Sequence, residues 1–435
     1  MKVFSALMVL STLYVQSAHA TQARLIALGL DELDNEGSYY IEDSRNIFLN
    51  PAFVNRYGDL ALVELGGTGK TVSSASTTNT TLDDDYFAKA QGGFLKRSGD
   101  FVYGAYFGNE STTASFLRIA ATSNAAALNG SGSAGQMLPT TDNQLEVFAG
   151  SKLDSGMEWG WNFVYLNNED KTGTKNQTDK AMATRFGAIG SNWDAHLNLS
   201  LANTGKNTVT ADPGIGSATI NQEFKGKFGV HAGGSYKLGV NSLYGFYKTF
   251  SWQQKDDYAS YGSFVGGLAG KQGKQGTNDA KFDTLSLGWG RVEKMGAGSL
   301  FTNLQLKKVN VELELASKVE VNSTTIPLTV GYEVPASEWL TLRGSVTQNV
   351  YGKRDNKNYN SANVVVKSLA EAVYGPQGKG DAPNSTRVDA GASMTFGKLV
   401  IDGTLGTVSK TSTQAKDATL RMDSLFTRAA ISYNF

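Results

Sequence analysis

From residue 60 to its end the chain repeats a period of two, and no other feature limits its fold as much. In the last twelve residues Leu425, Thr427, Ala429, Ile431, Tyr433 and Phe435 share one parity, Ser424, Arg428, Ala430, Ser432 and Asn434 share the other, and only Phe426 breaks the order. Alternation with one apolar face marks a strand between an apolar medium and a polar one. About sixteen such segments can be marked, and the connections between them fall into two alternating sets. Short connections, at residues 97–100, 153–157, 190–193, 238–241, 293–298, 335–339 and 397–398, carry the Gly, Asn, Asp, Pro and Ser of tight turns. Between them lie long polar stretches, among them "NEDKTGTKNQTD", "TGKNTVTADPGIGSATINQ" and residues 317–323 and 352–385. This order predicts an all-β chain: a transmembrane antiparallel up-and-down β-barrel of about sixteen strands over residues 60–435.

Charge decides which face meets lipid, because a Lys or Arg facing the bilayer midplane costs about 2–4 kcal/mol. Phe224, Phe228, Val230, Tyr236 and Leu238 alternate with Lys225, Lys227, His231, Ser235 and Lys237; Leu197 and Leu199 alternate with Asp194, His196 and Asn198. Leu328, Val330 and Tyr332 alternate with Thr329 and Glu333, and Val388, Ala390 and Met394 with Arg387, Asp389 and Ser393. The ionised parity is read as the lumen. The expected pore-lining set is therefore Glu146, Glu158, Arg185, Asp194, His196, Lys225, Lys227, His231, Lys237, Asp283, Arg291, Glu333, Arg343, Arg387, Asp389 and Arg428. Lys248 is the exception, since it shares its parity with Tyr244, Phe246, Phe250 and Trp252, and either a bulge there or a different depth would restore the pattern. Trp159, Trp161, Trp193, Trp252, Trp289 and Trp339 fall near strand ends, as interfacial girdles require.

The first twenty residues read as a signal peptide, with Met1-Lys2, an apolar stretch from Phe4 to Val15 and Ala18-His19-Ala20 ahead of a cut before Thr21. Export to the cell outer membrane follows as an expectation. No apolar run reaches the ~18 residues of a spanning helix. Forty basic and 40 acidic residues balance, which leaves no field for nucleic acid. The chain has no cysteine and three histidines, so neither a disulfide framework nor a metal site nor a cofactor is expected. His231 or His196 with Asp194 is the one arrangement that could serve a barrel hydrolase, but a lumenal histidine is more often a polar wall residue, and no enzyme is expected.

Residues 21–59 lack the two-residue period and form a separate segment, a plug or a periplasmic seal. The closing strand, with Leu425, Ala429, Ile431, Tyr433 and Phe435, resembles the C-terminal signature of Gram-negative outer-membrane barrels. That likeness implies that Tyr433 and Phe435 are read by the barrel-assembly machinery. Asn50-Pro51-Ala52 resembles the plug motif of the long-chain fatty-acid transporter family, and the stretch from Arg24 to Gly67 resembles major outer-membrane proteins of Bdellovibrio-type bacteria. These likenesses imply a segment inside or under the lumen. Outer-membrane lipids and lipopolysaccharide are the implied surroundings, and sixteen-strand porins imply a homotrimer.

Sixteen strands leave an aqueous bore, so the first functional expectation is a porin for passive diffusion of small polar solutes and ions. A short helix around Val365, Leu369, Ala370 and Val373 would narrow it. The alternatives are a gated transporter of hydrophobic substrates closed by residues 21–59, and a surface adhesin presenting Thr- and Asn-rich loops.

Overall fold

The computed structural model describes residues 21–30, 36–65, 71–72, 82–83, 90–109, 144–172, 175–211, 218–257, 276–314, 318–359, 375–382, 386–410 and 429–435. Residues 1–20, read from the sequence as a signal peptide, lie outside them, as do Arg428 and the expected helix around Val365.

A closed antiparallel barrel of sixteen strands is observed among the described residues. In chain order these are β1 Leu60–Leu65, β2 Ala90–Ser98, β3 Phe101–Phe107, β4 Gln144–Lys152, β5 Glu158–Thr172, β6 Lys175–Ile189, β7 Trp193–Ala211 and β8, built from Ala218–Gly226 and Gly229–Leu238. They continue as β9 Asn241–Asp257, β10 Gly276–Met295, β11 Gly298–Glu314, β12 Lys318–Pro335 and β13 Leu340–Asn356. The last three are β14, built from Gly378–Asp381 and Thr386–Phe396, β15 Leu399–Lys410 and β16 Ala429–Asn434. Each strand pairs with its sequence neighbours, and β1 closes the ring by pairing with both β16 (Leu62↔Ser432) and β2 (Leu62↔Gly93). No edge remains to be satisfied by lipid, where an unpaired peptide group is costly. Phe435 donates its N–H to the Asp59 carbonyl at 3.1 Å and completes the seam.

The short connections lie where the turn residues place them. Four turns open on a glycine with φ near 60°, Gly99, Gly239, Gly296 and Gly397, the left-handed start that tight hairpins of this twist require. The polar stretches are a different matter. "NEDKTGTKNQTD" is hydrogen-bonded strand up to Thr172 and again from Lys175, β7 runs on to Ala211, and β12 begins at Lys318. Polarity there marks sheet that has left the hydrocarbon, not loop.

The two faces therefore exchange character along the strands. In the lower barrel, next to the short turns, Leu285, Leu287, Leu304, Leu306, Val330 and Leu342 are exposed on the outside, while Thr284, Ser286, Asn303 and Thr329 are buried inside. Above that belt the order inverts. Phe224, Trp252, Ala280, Phe282, Val309, Val311, Leu313, Val319 and Val321 form a buried apolar cluster on the inner wall of β8 to β12, with Phe250 packed against it and Tyr359 joining it from beyond β13. Outside that cluster the sheet carries charge, with Lys227 Nζ 2.8 Å from Asp279 and Lys281 Nζ 2.7 Å from Asp283.

Four of the expected lumenal charges are corrected, three of them by this inversion. Lys225, Lys227 and Asp283 stand on the outer face above the apolar belt, where water or headgroups solvate them, because their inward neighbours are Phe224 and Phe282. Arg291 also points outward, near the short turns, and forks onto Glu293 Oε2 at 2.7 and 3.0 Å. Trp252 is no girdle residue but fully buried inside. Lys248 needs no bulge in its own strand: Tyr244, Phe246, Lys248, Phe250 and Trp252 all point inward, and Leu243 and Tyr247 face out. The irregularity sits in the facing strand, where Gly226 pairs with Trp252 but Val230 with Thr249, so β8 carries an extra residue and reverses its faces.

Candidate functional site

Residues 21–30 and 36–59 lie in the lower lumen. Three local stops shape the segment, each led by a capping side chain. Thr21 Oγ1 accepts from Arg24 N at 3.3 Å and starts the helix α1, Gln22–Ala27; Asp43 Oδ1 accepts from Arg45 N at 2.8 Å and starts the 3₁₀ turn Ser44–Phe48. Asn50 Oδ1 accepts from Ala52 N at 3.0 Å and starts a second 3₁₀ turn, Pro51–Arg56, with Pro51 at its first position, where a missing N–H costs nothing.

Apolar packing seats both ends. Leu25, Leu28 and Ile41 pack on Phe301 and Val292 of the wall, and Ile47, Phe48, Ala52, Phe53 and Val54 on Leu60, Leu62, Leu95, Val102, Tyr106 and Phe148. At about 1.5–3 kcal/mol for each large buried side chain, this burial is on the order of 10 kcal/mol.

Asn50-Pro51-Ala52 touches the wall where the wall has no side chains. A Cβ on Gly160 would lie 2.2 Å from the Pro51 carbonyl carbon, and one on Gly187 would lie 1.9 Å from Asn50 Oδ1. Asn50 Nδ2 donates to the Ala195 carbonyl at 3.2 Å, and Asn55 Nδ2 to the Trp159 carbonyl at 2.8 Å.

Buried charge ties the segment to opposite walls. Arg24 forks onto Glu333 at 2.8 and 3.0 Å and reaches Asp43 at 3.2 Å. Glu333 also lies 3.1 Å from Arg343 Nε, whose Nη1 donates to Asp402 at 2.8 Å. On the other wall Arg45, 1% exposed, donates to Glu64 at 2.5 Å and Asn109 at 2.6 Å. Asn109 donates to Glu146 at 2.6 Å, and Glu146 is paired with Arg185. Arg387 Nη2 caps the end of α1 through the Gly29 and Leu30 carbonyls at 2.7 and 2.9 Å and donates from Nε to Asp389 at 2.8 Å. Such networks orient more than they stabilise, since burying both charges offsets much of their attraction.

A third node joins Glu36 and Tyr39 to β7, β8 and β9. Tyr39 stacks on Tyr244 and Phe246 at 5.1 and 5.4 Å between ring centroids. Its hydroxyl lies 3.4 Å from His196 Nε2 and 3.2 Å from His231 Nε2. Glu36 Oε2 stands 3.2 Å from His231 Nδ1 and 3.5 Å from Lys248 Nζ. Burial works against ionisation of Glu36, but Lys248 and the His231 ring outweigh it and hold the carboxyl well below the usual carboxylate range.

The expected site residues thus divide. Glu146, Arg185, His196, His231, Glu333, Arg343, Arg387 and Asp389 point inward and meet residues 21–59 or their immediate partners. Glu158 and Lys237 point inward at the mouth, where Arg56 lies 3.2 Å from Glu158 and Lys237 lies 3.9 Å from Glu42. Asp194 accepts from Ser235 Oγ while both histidines face Tyr39, so no Ser-His-Asp chain is assembled. Among the described residues no group of three or more His, Cys, Asp or Glu gathers as a metal cage, and no helix is long and apolar enough to cross a membrane. Arg24, Glu36, Tyr39, Arg45, Glu64, Lys248 and Asp402 were not anticipated. Glu64 stands on the inward parity of an otherwise apolar strand, and Asp402 directly follows the apolar run of residues 399–401, which is the signal that identifies them.

No protein-family model matches the chain, and no curated protein does. Among solved structures it is similar to a FadL homologue of Pseudomonas aeruginosa, at 12% identity over 96% of this chain and 98% of that one, with a TM-score of 0.44. It is similar also to the ferric citrate transporter FecA in unliganded form, at 9% identity and a TM-score of 0.44, covering 83% of this chain but 53% of FecA. A third is the deltaS2S3 mutant of the monoaromatic hydrocarbon channel TodX, at 10% identity over 96% of this chain and 100% of that one, with a TM-score of 0.38. All are outer-membrane β-barrels, and nothing at the level of sequence ties the chain to Bdellovibrio-type proteins.

Proposed function

We propose that the protein is a gated outer-membrane conduit for apolar or amphipathic small molecules, held shut on its inner side by residues 21–59. One observation carries this reading: above the membrane belt the inner wall of β8 to β12 is apolar, with Phe224, Trp252, Phe282, Val309, Val311, Leu313, Val319 and Val321 buried together. An apolar constriction sheds water and opposes ions, whereas it welcomes a hydrocarbon. Within it Trp252 Nε1 has no hydrogen-bond partner among the described residues, a donor suited to the one polar atom of an amphipathic solute.

The diffusion-porin expectation asks for a continuous aqueous bore. Its support is the polar lower wall, but Arg24, Arg45 and Arg387 of the segment and wall already occupy those carboxylates and carbonyls. The adhesin expectation rests on loops outside the described residues. Lipid and lipopolysaccharide around the exposed leucines, recognition of Tyr433 and Phe435 by the assembly machinery, and a homotrimer accompany this reading as proposals.

The test is uptake into proteoliposomes of an apolar dye, phenylnaphthylamine, against a small sugar. The expected result is saturable dye uptake that falls in Phe282→Asp, with sugar excluded. Free passage of sugar and indifference to the dye would restore the porin reading.

A further inference from the structure

We propose that Tyr39, His196 and His231 form a binding site for a late first-row divalent cation, Zn²⁺, Cu²⁺ or Ni²⁺, which ties the lumenal segment to the barrel wall. Beyond residue 20 the chain contains only these two histidines, on neighbouring strands, and their Nε2 atoms converge on one point. The rings are 4.8 Å apart and nearly perpendicular, and both residues are more than nine-tenths buried. The strand register explains the convergence: His231 faces Asn198 and His196 faces Gly233, so the histidines are diagonal neighbours on one face. Gly233 leaves the space that Tyr39 enters, since a Cβ there would come within 2.9 Å of the phenol oxygen.

The hydroxyl of Tyr39 now holds the converging point. It has one proton, so it can donate to only one of two imidazole nitrogens. An ion at that point, with Zn–N bonds of about 2.0–2.1 Å, would take both nitrogens and leave the phenol oxygen as a third ligand after a small displacement, with water in a fourth position. Imidazole is a good ligand for Zn, Cu and Ni and a poor one for Mg or Ca, which sets the class of ion. Around the site stands the support such ions recruit: Glu36 Oε2 beside His231 Nδ1 favours the tautomer whose Nε2 lone pair is free, and Lys248 neutralises the carboxylate. His196 Nδ1, buried and without a hydrogen-bond partner among the described residues, leaves its ring free to turn toward a ligand.

The cation site stands apart from the conduit reading; only its effect on gating rests on that reading. Equilibrium dialysis of the full-length barrel in detergent against Zn²⁺, Ni²⁺ or Cu²⁺ chloride is expected to give one saturable ion per chain. His196→Gln and His231→Gln should each abolish it, and Glu36→Gln should weaken it by about 10-fold. Cu²⁺ paramagnetic resonance of the unmutated protein supplies a readout that needs no variant, and coupling to two nitrogens is expected. Zn²⁺ should also slow hydrogen exchange at residues 36–41. No saturable ion, a spectrum without nitrogen coupling, or binding unchanged in both histidine variants would overturn the site, and saturation without slowed exchange would overturn its tying role. Dye uptake unaffected by a bound ion would instead overturn any effect of the site on gating and leave the conduit reading untouched.

Discussion

Gly160 and Gly187 are the wall residues on which the inner segment depends most closely, because the backbone of Pro51 and the side chain of Asn50 occupy the space where their Cβ atoms would be. Gly187→Ala should cost about 1–3 kcal/mol by overpacking and expose residues 50–55 to protease, whereas Gly331→Ala, whose nearest contact would be 3.4 Å, should do neither. Thermal unfolding in detergent and limited proteolysis read the two together. Glu36 gives a pH test with a definite sign. Its carboxyl is held well below its ordinary value, so the docking it supplies is complete above pH ~4.5 and is lost only as pH falls through the lower folded value. Protection from hydrogen exchange at residues 36–41, taken relative to the free-peptide rate at each pH, should stay high at pH 5 and fall in strong acid, and in Glu36→Gln it should be low and flat across that range. Protection that falls already near pH 6 would contradict the assignment. The sequence marked most lumenal charges by parity alone, and it failed for Lys225, Lys227, Asp283 and Arg291 because an outward charge is expensive only at hydrocarbon depth. Glu36 and Tyr39 had no parity to reveal them.

Strands were the legible elements, and their lengths were not. Turn glycines and dyad alternation located the sixteen strands and their short connections, since both are local properties of the chain. Where the sheet rises beyond the membrane its outer face turns polar, and stretches such as Asn168 to Asp179 then look like loop although the ladder continues. The apolar parity switch within single strands is the signal for that boundary: in β10 it passes from Phe282 inward to Leu285 outward within three residues. Two chemically similar truncations should therefore behave differently. Phe282→Ala removes a core side chain and should cost about 3–5 kcal/mol; Leu287→Ala opens its gap to fluid lipid or detergent and should cost clearly less. Thermal unfolding in detergent compares them, and equal losses would show that the upper cluster is not a packed core.

At the scale of the molecule the barrel joins two solvents in one sheet, apolar outside and polar inside within the bilayer, and the reverse above it. The described residues between 21 and 59 occupy the lower half; the sequence displayed their separate composition, but only the long-range pairs disclose their place inside the lumen, Arg24 to Glu333 and Arg45 to Glu64 among them. On the proposed reading those contacts hold the bore closed, and removing them should open it. The most direct measurement is single-channel conductance in planar bilayers, with the full-length protein compared with a form lacking Thr21 to Asn46 and both shown to be folded by their resistance to unfolding in cold detergent. The full-length protein should be silent or flicker briefly, and the deleted form should show large, long-lived steps. Steady open steps in the full-length protein, unchanged by the deletion, would contradict a lumen held shut by its own N-terminal segment.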